Sequence, residues 1–113
     1  MKDHPHRRER FLRDPLPIRL GGIAANLARV ASFAAGSSSV PVIDAMLYES
    51  KFFIEWAAPT APIETAAALV ELQISIAVWQ SQWSKGHANM DTRNSLIRFA
   101  RESSAQEIIV GTE

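Results

Sequence analysis

Residues 60 to 86, TAPIETAAALVELQISIAVWQSQWSKG, carry the strongest architectural signal in the chain. Thr60 can cap a helix, Pro62 suits a first turn where its missing N–H is not needed, and Glu64 sits at the positive end of the dipole. Lys85 complements the other end and Gly86 supplies a stop. A helix from Pro62 to about Ser84 would be about 36 Å long at ~1.5 Å per residue. Two apolar rows run along it. One is Thr65, Leu69, Leu72, Ile76, Trp79 and Trp83; the other is Ile63, Ala67, Val70, Ile74 and Ala77. Only Glu64, Ala68, Glu71, Ser75 and Gln82 make a face suited to water. A helix apolar almost all round must be covered on most sides, so this segment predicts a central position or a partner.

Working towards the N-terminus, Pro59-Thr60-Ala61-Pro62 breaks the chain, because each proline disfavours helical geometry in the residue before it. The preceding helix is expected over Pro41–Ala57, with Ser39 as its N-cap and Asp44 in its first turn. Asp44, Tyr48, Lys51 and Glu55 share a face that reads as solvated. The remaining circumference carries Val42, Ile43, Met46, Leu47, Phe52, Phe53, Ile54 and Trp56, a wider apolar arc than a surface helix needs. Before it, Leu16, Leu20, Ile23, Leu27 and Val30 recur at helical spacing and predict a helix over Pro17–Ala35, stopped by Gly36. A row of small residues on it, Gly21, Ala25, Ala28, Ser32 and Ala35, would let another helix approach closely.

After residue 86, a helix is expected from Asn89 or Asp91 to at least Glu102, with Leu96, Ile97, Phe99 and Ala100 apolar and Arg93, Arg98 and Arg101 outside. Ile108–Val110 fit a helical extension, a strand or a packed tail equally well. Residues 1–15, with Arg7-Arg8-Glu9-Arg10 and two prolines, read as a flexible basic arm that only Phe11 and Leu12 can anchor, or as a segment that adds a short extra turn of helix. The expected architecture is all-α: an up-down four-helix bundle over residues 16–113, its short connections favouring antiparallel neighbours, with a basic N-terminal arm.

The chain of 113 residues suits one domain and needs no covalent staple. It has no cysteine, which excludes thiolate nucleophiles, cysteine–zinc sites and redox pairs. Formal net charge is zero, so no whole-protein field steers an anionic partner. The charges are segregated, however. Residues 1–19 hold six basic against three acidic groups, a surplus of +3, and residues 40–83 hold five acidic groups against Lys51, a surplus of −4. No secretory pattern and no 18-residue apolar run is visible, so the expectation is a cytoplasmic protein that does not enter a membrane.

Chemical motifs are sparse. A carboxylate-bridged metal site in a bundle needs Glu-x-x-His pairs, and none occurs; His4, His6 and His87 lie in the arm or a loop, so no metal or other cofactor is implied. Gly-x-Ser-x-Gly and the phosphate-binding glycine motifs are absent. Glu49 is the carboxylate that stands out, at helical spacing among Met46, Phe53 and Trp56. A ligand pocket or enzyme site would centre on Tyr48, Glu49 and Trp56. The plainer reading is a rim carboxylate held by an arginine, with Arg19 and Arg29 as the nearest structural partners. No catalytic constellation stands out, and an enzyme is the less expected class.

Nucleic-acid binding would use Arg7, Arg8 and Arg10 of the arm with Arg93 and Arg98 of the last helix, which Gly86 would place in a helix–turn–helix. Against it stand the neutral charge and Asp91, Glu102 and Glu107 beside those arginines. The excess apolar surface points more strongly to an oligomerising or protein-interaction module, most simply a homodimer. Phe52, Phe53, Trp56, Trp79 and Trp83 are its expected interface, since tryptophan and phenylalanine are enriched at interface cores.

Overall fold

The computed structural model describes residues 5–36, 40–86 and 89–106. The cap expected at Ser39, the histidines His4 and His87 and the segment Ile108–Val110 lie outside the described residues. Five α-helices make up the described chain: α1 (Pro5–Arg13), α2 (Leu16–Ala35), α3 (Val40–Ala57), α4 (Ile63–Gly86) and α5 (Met90–Ser104). No strand occurs among the described residues.

The all-α expectation therefore holds, but the count is five rather than four. The difference lies in the expected arm, part of which coils into α1. Phe11 is the reason it can dock. Its ring stacks on Phe53 at 4.8 Å between centroids, with Trp56 at 5.7 Å, so α1 lies against α3. Arg19 then locks the joint between α1 and α2. Its guanidinium donates to the carbonyls of Leu12 (3.1 Å) and Asp14 (2.7 Å) and to Thr60 Oγ1 (2.9 Å). Two of those acceptors are carbonyls at or just past the end of α1, which have no partner within the helix.

The helix limits follow local chemistry closely. α2 begins with Pro17 in its first turn. α5 begins at an Asn89 cap, whose side-chain oxygen accepts from the backbone N–H of Asp91 (2.7 Å) and Thr92 (3.4 Å). At α4 the cap differs from expectation. Ala58–Thr60 form a short 3-10 turn, Thr60 Oγ1 accepts from Arg19, and the first helical bond runs from Ala66 N–H to the Pro62 carbonyl at 2.8 Å.

Each of the four longer helices packs on two of the others: α2 on α3 and α5, and α4 on α3 and α5. Leu20, Ile23, Leu27 and Val30 of α2, Ile43, Leu47 and Ile54 of α3, Leu69, Leu72, Ile76 and Trp83 of α4, and Leu96 and Ala100 of α5 form one buried core. The solvated face expected on α3 is partly covered, because Asp44 accepts from Gln80 (3.3 Å) and the Lys51 carbonyl from Gln73 (3.1 Å), both on α4. The small-residue row of α2 is not a helix crossing: Gly21, Ala25, Ala28, Ser32 and Ala35 are all exposed. No helix among the described residues is long and apolar enough to cross a membrane.

Candidate association surface

The five aromatic residues expected at an interface lie within the chain's own packing. Trp83 is 0% exposed, Trp56 7% and Phe52 8%, while Phe53 and Trp79 are half-buried. Ring contacts account for them. Phe52 and Phe53 lie 5.5 and 6.0 Å from Trp56, Phe11 covers Phe53, and Trp79 packs against Phe99 at 5.8 Å. Arg93 spans the Trp83 ring at 5.2 Å. α1 covers Phe53 and Trp56, and α5 covers Trp79 and Trp83. These groups seal the fold from inside, so the outward apolar surface has to be sought elsewhere.

It lies on the opposite side of α4. The row Leu69, Leu72, Ile76 and Trp83 faces the core. The second row does not: Ile63 is 86% exposed, Val70 45% and Ile74 60%, and Ala67 and Ala77 are exposed between them. Val78, at 50%, widens the band, and Ser81 continues it. Ile63, Ala67, Val70, Ile74, Ala77 and Ser81 follow one another at intervals of four and three residues. This is the a/d spacing that sets a continuous seam along one side of a helix. Glu64 and Glu71 flank one edge, and Lys85 lies at the far end of the same helix.

The other expected sites are taken up by the fold. Glu49 Oε2 accepts from Arg7 at 2.9 Å, and Glu49 Oε1 from Asn26 Nδ2 at 3.1 Å. Asn26, fully buried, also donates to Ser50 Oγ (3.2 Å) and the Met46 carbonyl (3.4 Å), and its own oxygen accepts from Arg29. Arg29 thus reaches Glu49 only through Asn26, and Arg19, the other expected partner, serves the α1–α2 joint instead. Tyr48 and Trp56 both contact the Phe52 ring, each at 5.5 Å between centroids. Glu49, bonded to Arg7 and Asn26, and Trp56, against Phe11, accordingly latch α1 and α2 onto α3, while Tyr48 contacts Phe52 and Lys51 of its own helix.

Of the arginines expected to meet nucleic acid, Arg7 is paired with Glu49, and Arg93 donates to the Ala34 carbonyl at 3.0 Å. Arg8, Arg10 and Arg98 are exposed. They are not gathered on one element: the first two ride on α1, which packs on α3, whereas α5 packs chiefly on α2. A shallow groove between α2 and α5 is lined by Ala35, Asn94, Ile97, Arg98 and Arg101, with Glu102 among the arginines. Among the described residues no three His, Asp or Glu side chains converge as metal ligands would.

The sequence reading looks for outward apolar surface at the tryptophans, whereas the structure leaves the other row of α4 exposed. Tryptophan drew attention, but a large ring is the most effective core filler the helix has, whereas the modest Ile/Val/Ala row was the part left over. No protein-family model, curated protein or solved structure matches the chain in comparison.

Proposed function

We propose that this chain is a self-associating protein-interaction module, with the outward row of α4 as its contact face. The observation that carries the reading is the exposed seam of Ile63, Ala67, Val70, Ile74 and Ala77 on a helix whose other side is already buried. Scattered exposed apolar residues are ordinary; a continuous band along a helix is the feature that marks an association surface.

The magnitude favours a weak, reversible contact. Ile63, Val70, Ile74 and Val78 together expose about two and a half side chains' worth of apolar surface. At about 2 kcal/mol per side chain, covering it contributes roughly 5 kcal/mol per chain and 10 per dimer. Association costs about 4–15 kcal/mol in lost translational and rotational freedom. At the low end of that cost, the difference corresponds to a Kd of tens of micromolar.

Sedimentation velocity from about one to several hundred micromolar, a range that brackets such a Kd, tests the reading. Wild-type chain is expected to shift from monomer to dimer. Ile74→Glu, at a site 60% exposed, is expected to stay folded and monomeric throughout. A wild-type chain that remains monomeric at the highest concentration refutes the proposal.

A further inference from the structure

We infer that the occupant of the α4 face is the α4 of a second copy, lying antiparallel, with the two-fold axis passing level with residue 72. The inference rests on the association reading above and adds its orientation and register.

The a/d seam of α4 allows two arrangements of two copies, and size and charge separate them. In the antiparallel one, Val70 meets Ile74 of the second copy, Ala67 meets Ala77, and Ile63 meets Ser81. The bulky pair lies at the centre, flanked by layers of alanine in which the helices can approach closely. Ile63, the most exposed large apolar residue among the described residues, falls beside the small Ser81 and the half-exposed Val78 of the other chain. A parallel arrangement instead sets Ile63 against itself at the outer end of the helix and leaves a Ser81–Ser81 layer at the other.

Charge points the same way. α4 carries Glu64 in its first turn and Lys85 in its last. Antiparallel pairing brings Glu64 of each copy to the end where the other presents Lys85, giving two equivalent rim pairs. It also sets the helix dipoles head to tail, whereas parallel pairing aligns like ends. The two copies of Glu71 lie near the axis on the rim, where water and salt screen them.

The absence of cysteine makes disulfide trapping a clean test. Ala67, Ala77 and Ile63 are all exposed, so a cysteine at each leaves the core untouched. In the antiparallel dimer, residue 67 of one chain faces residue 77 of the other. By contrast, two copies of residue 67 lie about 15 Å apart along the axis, and two copies of residue 63 about 27 Å, at ~1.5 Å per residue. A disulfide needs Cα atoms within about 7 Å.

An oxidised equimolar mixture of Ala67→Cys and Ala77→Cys, held above the Kd, should yield heterodisulfide at least tenfold faster than either variant self-couples. Ile63→Cys alone should not couple. The charge arm follows: Lys85→Glu should weaken the dimer several-fold and Glu64→Lys in the same chain should restore it. A dimer in which Ile63→Cys couples to itself overturns the antiparallel pairing, as does a dimer that traps no 67–77 disulfide. Either result leaves self-association standing, whereas a monomer in sedimentation removes both readings.

Discussion

Ile74 and Ile76 are the same residue type, two positions apart on one helix, and the structure assigns them opposite consequences. Ile76 is 0% exposed and packs in the core; Ile74 is 60% exposed on the outer face. Cutting Ile76 to alanine removes buried methyl groups and leaves a cavity between helices, which costs about 3 kcal/mol within a usual range of about 2–5. For a domain of this size that is roughly a 12–15 °C fall in Tm. Cutting Ile74 to alanine removes no core contact and improves helix propensity slightly, so dilute chain should change by less than about 0.5 kcal/mol. Its effect belongs to association. About three methylene groups, a little over half exposed, are lost from each copy, which weakens a dimer by about 2–3 kcal/mol, or on the order of 50-fold in Kd. The assay is urea unfolding followed by circular dichroism, run well below and well above the association midpoint. Wild-type stability should rise with protein concentration, since a contact made only by the folded state adds to it. In Ile74→Ala that rise should vanish, with dilute stability intact, whereas Ile76→Ala should be weakened by a similar amount at both concentrations. Comparable losses for the two variants in dilute solution would mean that both rows of α4 are buried within a single chain, and the argument from an uncovered face would fail.

Two further outcomes follow from the packing. Gly21 lies within α2, exposed, and a Cβ added there would meet nothing within 4 Å, so Gly21→Ala should raise stability by about 0.5–1 kcal/mol in thermal unfolding, and a loss would refute its placement. Asn26→Ala should cost about 2–3 kcal/mol in urea unfolding, because it strips partners from Ser50, Glu49 and Arg29 at a fully buried site. A cost below about 0.5 kcal/mol would show that the network does not hold α2 to α3.

Much of the helical framework is legible in the residues themselves. Pro17, Asn89 and the Pro59–Pro62 break act within a turn of where they stand, so their effect needs no knowledge of the fold, and the helices start or stop beside them. The exposed edges of that logic are Thr60 and α1. Thr60 has the chemistry of a cap, but Arg19, 41 positions away in sequence, takes its hydroxyl for the α1–α2 joint. α1 has no buried residue and a basic composition that reads as an arm with only Phe11 and Leu12 to anchor it. Its docking depends on the Phe11 ring finding Phe53 and on Arg7 finding Glu49, 42 positions on, which no local pattern encodes. For the same reason Glu49 was recognised as unusual while its partners were not: Arg7 and Asn26 are brought to it by α1 and α2 packing on the same side of α3.

Composition and spacing are enough to read a helical protein without cysteine chemistry and a long helix, α4, with two apolar rows. Spacing at three and four residues is a property of one helix, and it survives whatever that helix packs against. Which row turns inward depends on the packing of the whole chain. Both rows of α4 have helical periodicity, so periodicity is silent between them; volume and neighbours break the tie. α3 and α5 close over the row that contains Leu69, Leu72, Ile76 and Trp83, and leave Ile63, Val70 and Ile74 facing out.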